Sequence, residues 1–143
     1  MTTMTEKFKI LGQFIKDMSS ETKDIETYIF VKDNILKYQL KININSKPLK
    51  NKMIEINTIL NFEGNEVTKH KSHFEMTYST IIKVNDNVKE KKELERIILC
   101  DVQMKIYPNL EKSFLNMLHN SGYPSVKLEN KIDFEKLYNE KFN

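Results

Sequence analysis

The spacing of apolar residues changes from every second position to about every fourth near residue 85, and this change constrains the fold most. Residues 36–45 alternate strictly between apolar and polar side chains. Such a period of two predicts a β-strand with one buried face. The same alternation, with interruptions, recurs in residues 8–18, 53–62 and 74–84. We therefore predict four strands, with a hairpin turn at Glu63-Gly64-Asn65-Glu66.

The last third of the chain has the spacing of helices. Apolar residues recur about every four positions from Leu94 to Leu118, which predicts an amphipathic helix. Pro108 has no amide hydrogen, so we expect a break near Tyr107 and a second helix that begins at Pro108. Gly122 is a typical C-terminal stop for that helix. Strands followed by helices predict an α+β fold in a single domain that spans residues 1–143.

Two further segments complete the sequence prediction. Asp133 is placed to cap a short last helix that contains Phe134, Leu137 and Tyr138. The segment 19–35 has no sustained period, although it contains the apolar run Tyr28-Ile29-Phe30-Val31. That run either packs on the core or forms a contact surface, and the pattern favours neither.

Composition and charge limit the classes of function. The chain has 23 basic and 20 acidic side chains, a net charge of +3, and a single cysteine, Cys100. Residues 1–72 have 12 basic and 9 acidic groups and residues 73–143 have 11 of each, so neither half is strongly basic. The sequence has no secretory signal pattern and no apolar run of 18 residues. We expect a cytoplasmic protein that is not inserted in a membrane.

The residue types for catalysis and metal binding do not form a recognisable pattern. His70 and His73 lie three positions apart, and the sequence offers no clear set of further zinc ligands near them. Three glycines in the whole chain leave no phosphate-binding loop. We therefore expect a binding protein, not an enzyme, with no metal and no cofactor.

Several short motifs, in order along nearly the whole chain, resemble those of the SecB-type protein-export chaperones. Phe14-Ile15-Lys16-Asp17-Met18-Ser19 is similar to the aromatic-x-Lys-Asp-hydrophobic-Ser end of that family's first strand. Ile29-Phe30-Val31-Lys32-Asp33 resembles its hydrophobic-Phe-x-Lys-Asp element. Tyr107-Pro108 and Gly122-Tyr123-Pro124 match its aromatic-Pro start and Gly-x-aromatic-Pro finish, and Ile132-Asp133-Phe134 resembles its final helix.

The resemblance implies a four-stranded antiparallel sheet with helices on one side, in a homotetramer built as a dimer of dimers. It also implies ATP-independent holding of unfolded precursor proteins and their delivery to the SecA motor. The client groove would lie between the crossover segment and the last helix, at Tyr28, Phe30, Val31, Phe134, Leu137 and Tyr138. The positions that match the family's SecA-docking acids are Asp17, Glu21 and Glu75.

The helical stripe predicts that the chain assembles with copies of itself. Its apolar face is wider than one sheet should cover, so part of it could pack on a neighbouring subunit. The residues expected at such an interface are Leu94, Ile97, Ile98, Phe114 and Leu118.

The chain also differs from the family pattern, and two other functions remain open. Its pI is about 8.8, whereas relatives are usually strongly acidic. Ser79-Thr80 replaces paired glycines, Asn34 replaces an aromatic residue, Glu111 replaces an arginine, and the acidic tail is missing. One alternative is a related chaperone dedicated to another client, such as an antitoxin. The other is a basic nucleic-acid-binding module, whose binding would weaken steeply with salt.

Overall fold

The computed structural model describes residues 6–64, 69–128 and 132–142. For residues 141 and 142 it describes the backbone only. In chain order the strands are β1 (Phe8–Glu21), β2 (Gln39–Pro48), β3 (Met53–Glu63) and β4 (His73–Val84). The helices are α1 (Ile25–Asn34), α2 (Lys91–Arg96), α3 (Val102–Asn120) and α4 (Phe134–Phe142). A 3₁₀ turn (Ile35–Lys37) follows α1, and a π-helical segment (Ile97–Asp101) joins α2 to α3.

The four strands form one antiparallel sheet in the order β1-β4-β3-β2. Alternate residues of β3 and β4, such as Ile56, Leu60 and Met76, are fully buried. Helix α3 covers this face, since Thr58 Oγ1 donates a hydrogen bond to Gln103 Oε1 at 2.8 Å. The α+β prediction, with helices on one side of a four-stranded antiparallel sheet, is confirmed. The opposite face of the sheet is called the outer face below.

The helix of the last third does not break at Pro108, which corrects the prediction. Pro108 lies inside the continuous helix α3. It is on the exposed side, one turn after Met104, which is 59% exposed. The carbonyl of Met104 loses its helical donor, and its exposed position lets water hydrate it. The irregularity lies earlier, in the π-helical segment, where Gln103 Nε2 donates to the carbonyl of Ile98 at 3.1 Å.

The crossover from β1 to β2 contains a helix that the sequence pattern did not predict. Asp24 caps α1, because its Oδ1 accepts a hydrogen bond from the amide of Thr27 at 2.8 Å. These bonds to Thr27 lower the pKa of the Asp24 carboxyl. Helix α1 buries Thr27 and Val31, while Ile25 and Ile29 are more than half exposed. Its apolar residues therefore lie on both sides, which hid the helical period.

The ends of the last two long elements agree with their predictions. Gly122 follows α3 with φ of 106°, a left-handed conformation that favours glycine. Asp133 caps α4, where its Oδ1 accepts from the amide of Lys136 at 3.0 Å. Among the described residues, no helix is both long enough and apolar enough to cross a membrane.

Candidate functional site

An apolar groove runs along the helix side of the edge strand β2, and we call it the β2 groove. Its floor is formed by Leu40, Ile42 and Ile44, which alternate along the strand and are half-buried. These residues have β3 on one side only, since β2 is the last strand of the sheet. Apolar side chains at a sheet edge, partly uncovered, offer a surface for a ligand that brings its own apolar groups.

The β2 groove has two concavities. The first has a volume of about 310 Å³, and α4 and the π-helical segment form its walls; its lining residues include Ile42, Ile44, Leu99, Phe134, Leu137 and Tyr138. The second has a volume of about 470 Å³, and the 3₁₀ turn and the loop before α4 form its walls; its lining residues include Ile35, Leu36, Leu40, Val126, Leu128 and Ile132. Among the residues named as lining, Leu36, at 77% exposed, and Leu137, at 40%, are the large apolar side chains that are exposed.

Helix α4 is held over the groove by contacts at one end of the helical layer. The ring of Phe134, which is 3% exposed, packs edge-on against Tyr107 at a centroid distance of 5.4 Å. Arg96 Nη2 donates to Glu135 Oε1 at 3.0 Å, and its guanidinium carbon lies 5.8 Å from the ring centroid of Tyr138. The exposed Leu137 and the half-buried Tyr138 therefore face the groove from an anchored helix.

The structure separates the six residues that the sequence assigned to client binding. Phe134, Leu137 and Tyr138 line the first concavity, although Phe134 serves mainly as an anchor because it is buried. Tyr28 instead packs against Tyr123, with centroids 5.5 Å apart, and donates to the carbonyl of Gly122 at 3.0 Å.

Phe30 and Val31 likewise line neither concavity of the β2 groove. The ring of Phe30 packs against that of His70, with centroids 5.8 Å apart, and Val31 is fully buried. The crossover segment reaches the groove through its C-terminal end, at Ile35 and Leu36.

Sequence reasoning missed the floor of the groove. The strict alternation in residues 36–45 identified Leu40, Ile42 and Ile44 as one face of a strand, and we assigned that face to the core. Only the strand order shows that this strand is at the sheet edge. A sequence signal was nonetheless present, because polar residues occupy the other face of β2 throughout.

The residues predicted for a subunit interface are, with one exception, part of the core of the chain itself. Ile97, Phe114 and Leu118 are at most 1% exposed and Ile98 is 8% exposed. Phe114 packs edge-on against Phe62 of β3 at 6.4 Å. Because these four side chains pack in the core of their own subunit, they leave little surface for a neighbouring one. Leu94 alone is half-buried.

Strand β1 offers a more accessible surface for assembly. It is the other edge of the sheet, so among the described residues no strand pairs with one side of its backbone. Four of its large apolar side chains are between 43% and 49% exposed: Leu11, Phe14, Ile15 and Met18. An unpaired edge with exposed apolar groups is a template for pairing with another chain.

The three acids assigned to motor docking share the outer face. Asp17 lies opposite Thr77, Ser19 opposite Glu75, and Glu21 opposite His73. Residues directly opposite in neighbouring strands point to one face. Phe74 and Met76, the two neighbours of Glu75 in β4, are buried under the helices. Glu75 therefore points to the opposite side, and all three carboxylates lie together on the outer face at one end of β1 and β4.

A fourth carboxylate on the outer face, that of Glu55, forms an ion pair with Lys16. Glu55 accepts from Lys16 Nζ at 2.9 Å and from Asn57 Nδ2 at 2.9 Å. These bonds lower the pKa of the Glu55 carboxyl.

Within the described ranges, the remaining titratable groups suggest no catalytic or metal centre. In α3, burial and the neighbouring Glu111 raise the pKa of the Tyr107 hydroxyl. Among the described residues, no three histidines, cysteines or acids gather as a metal site would require.

Comparison with known proteins identifies the family. The family model described as "SecB: Preprotein translocase subunit SecB" matches residues 2–143. The chain belongs to the SecB family of protein-export chaperones. A protein of Pelagibacter ubique (strain HTCC1062), provisionally named protein-export protein SecB, is 59% identical over 140 residues, which are 98% of this chain and 100% of that one.

More distant SecB relatives extend the comparison. The protein-export protein SecB of Mesorhizobium japonicum is 21% identical over 92% of this chain and 77% of its own length. Among solved structures, the SecB-like chaperone of Mycobacterium tuberculosis, in complex with a ChAD peptide from the HigA1 antitoxin, is similar with a TM-score of 0.59. That likeness covers 88% of this chain and 91% of the other at 7% identity, and it therefore supports the fold alone. The resemblance stated from the sequence motifs is confirmed.

Proposed function

We propose that this SecB-family chain is an ATP-independent holdase that binds unfolded precursor proteins in the β2 groove. The observation that carries the proposal is the uncovered apolar surface of that groove, between the edge strand β2 and the anchored helix α4. An unfolded chain exposes the apolar side chains that a folded protein buries, and the groove offers them a place out of water. Affinity of this kind depends on shape and apolar area and needs no nucleotide.

The edge strand gives the groove a second way to bind an extended chain. Within the described part of the chain, the backbone of β2 pairs with β3 on one side and with no strand on the other. A client segment in extended conformation can add main-chain hydrogen bonds to that edge and place alternate side chains over the floor. Main-chain recognition is independent of client sequence, which suits a chaperone with many clients.

A pair of matched variants tests this site. Ile42→Ser with Leu137→Ser removes one apolar side chain from the floor and one from the wall. Each side chain contributes on the order of 1–3 kcal/mol when it is fully covered, so client affinity should fall at least about tenfold. The measurement is suppression of aggregation of an unfolded client at several chaperone concentrations.

Met104→Ser is the control. Met104 is 59% exposed on α3, and it does not line either concavity of the groove. We expect full suppression by this variant and unchanged circular dichroism for both. Equal suppression by the groove variant and the control would exclude the β2 groove as the client site.

We further propose that the outer face delivers clients to the SecA motor in the cytoplasm. The support is the shared placement of Asp17, Glu21 and Glu75 on that face, away from the groove. Such a separation would let a motor bind while a client is still held. Asp17→Lys with Glu75→Lys should abolish binding to SecA in calorimetry and leave client holding unchanged. Absence of SecA binding by the unmutated chain would exclude the delivery role.

Assembly is proposed through the β1 edge and not through the helical stripe. The support is the exposed apolar set on β1 together with its unpaired backbone. Phe14→Ser with Met18→Ser should shift light-scattering mass towards the monomer of 17.0 kDa. A stable monomer for the unmutated chain at micromolar concentration would contradict both this surface and the tetramer.

A dedicated chaperone for a single client is the second candidate. The observation in its favour is the similar fold of the mycobacterial SecB-like chaperone, which was solved with an antitoxin peptide. Co-purification from the source cells separates the two proposals. Many exported precursors would support general holding, whereas one stoichiometric partner would support dedication.

A further inference from the structure

An apolar pocket with a basic rim lies at the end of the sheet where β2 turns into β3, and we call it the turn pocket. Its volume is about 430 Å³. Its apolar lining is formed by Pro48, Leu49, Met53, Ile54, Val84, Val88 and Leu94. None of these residues lines either concavity of the β2 groove, so the pocket is a separate feature.

The fold assembles the basic rim from parts that are distant in sequence. Lys52, Lys89 and Lys91 line the pocket. The amide of Val84 donates to the carbonyl of Lys52 at 3.1 Å, which ties the β2–β3 turn to the end of β4. In sequence, these lysines form two separate groups, one near residue 50 and one near residue 90. In the structure they surround one apolar depression.

Few acids balance this rim. Asp86 forms an ion pair with Lys52. This pair and the positive charges of the nearby Lys83 and Lys89 lower the pKa of the Asp86 carboxyl. Within the described part of the chain, no carboxylate lies within 4.0 Å of the ammonium of Lys89 or Lys91. Among the described residues that line the pocket, Glu90 is the one acid. The rim therefore keeps a positive charge that an anionic partner can use.

The turn that carries Lys52 adds an observation from the backbone. Asn51 and Lys52 both have φ of 62°, as in the two central positions of a type I′ hairpin turn. The second of these positions usually carries glycine, because a side chain there is strained. A lysine at this position brings its side chain into the lining of the turn pocket.

We propose that the turn pocket binds client segments in which apolar side chains are flanked by aspartate or glutamate. This inference rests on the proposed holdase function and adds a selectivity to it. The apolar lining would cover the client's apolar group, and the lysine rim would face its carboxylates. The turn pocket lies at the far end of the same strand as the groove, since Pro48 follows Ile44 by four residues, roughly 13 Å in an extended chain. One extended client can reach both sites.

Peptide probes test the proposal by fluorescence anisotropy with the full chain. The first probe is a short labelled peptide with a Leu-Phe-Leu centre between Asp and Glu flanks. The second keeps the centre and has Lys flanks, and the third keeps the acidic flanks around Ser-Gly-Ser. The first should bind at least about tenfold more tightly than either other at low salt. Equal binding by the first two would overturn the proposal.

Matched variants assign the binding to the turn pocket. Lys89→Gln with Lys91→Gln should weaken the first probe about 3- to 10-fold, and Val88→Ser should weaken it about fivefold or more. Lys32→Gln with Lys112→Gln removes the same charge from exposed positions elsewhere and should change nothing. Circular dichroism verifies that each variant is folded.

Two other results would overturn the inference. If Leu137→Ser weakens the first probe and Val88→Ser does not, the peptide binds in the β2 groove. If a single-stranded oligonucleotide displaces the probe with a steep salt dependence, and Val88→Ser has no effect, the rim is a nucleic-acid surface.

Aggregation assays keep this test separate from that of the proposed function. Retained holding of a client without acidic segments, together with failed probe binding, rejects the turn pocket alone. Probe binding by a chain that suppresses no aggregation rejects the holdase function.

Discussion

Replacing Gly122 with alanine should destabilise the chain for two separable reasons. Gly122 has φ of 106°, a conformation that costs a residue with a Cβ about 1–2 kcal/mol. The new Cβ would also lie 2.8 Å from Cε1 of Tyr28, closer than real Cβ contacts. Crowding of this kind typically costs about 1–3 kcal/mol. We therefore expect a loss of about 2–5 kcal/mol in the free energy of unfolding.

The crowded contact lies at the junction of α3 with the crossover. Tyr28 donates to the carbonyl of Gly122, and its ring packs on Tyr123. The hydroxyl of Tyr123 is 3.0 Å from that of Thr22 and 3.1 Å from that of Ser72. Because these bonds join three parts of the chain, the ring of Tyr28 has little room to move away.

A double-mutant cycle separates the two costs. In a Tyr28→Ala background the crowding disappears, so Gly122→Ala should cost only the backbone share of about 1–2 kcal/mol. Gly64→Ala is the matched control, because its Cβ would lie 2.8 Å from Tyr38 Cε1 without a positive φ. Urea unfolding at one protomer concentration measures all of these changes. A cost for Gly122→Ala no larger than that for Gly64→Ala would refute the backbone argument.

Three further changes test other parts of the structure by the same unfolding measurement. Phe114→Ala should cost about 3–5 kcal/mol, because the side chain is fully buried; a loss below about 1 kcal/mol would return it to a surface role. Pro108→Ala should stabilise the chain, by up to about 3 kcal/mol, since a proline inside a continuous helix removes a hydrogen bond; a loss would mean that α3 requires its proline. The hydrogen bond from Lys16 lowers the pKa of the Glu55 carboxyl below its usual 4.5. The Glu55 contribution should therefore be complete above about pH 5 and vanish as the pH falls through the lowered pKa, so Glu55→Gln should destabilise only at the higher pH.

The local pattern of the sequence predicted most of the secondary structure. Alternation placed the four strands, and Asp133 and Gly122 marked the ends of helices as their chemistry requires. The family motifs, spread along the chain, led to the SecB family. These features depend on neighbours within a few residues, or on short motifs, and a sequence displays both directly.

Burial and neighbourhood required the tertiary structure. Phe114 and Leu137 look alike in a helical pattern, yet one is in the core and the other faces a groove, because the strand order leaves β2 at an edge. Pro108 stays inside a helix because it faces solvent, where water can hydrate the carbonyl of Met104 that loses its helical donor. Lys52, Lys89 and Lys91 line one pocket because the β2–β3 turn lies against the end of β4. Each of these outcomes depends on contacts between residues far apart in the chain, and such contacts leave no periodic trace in the sequence.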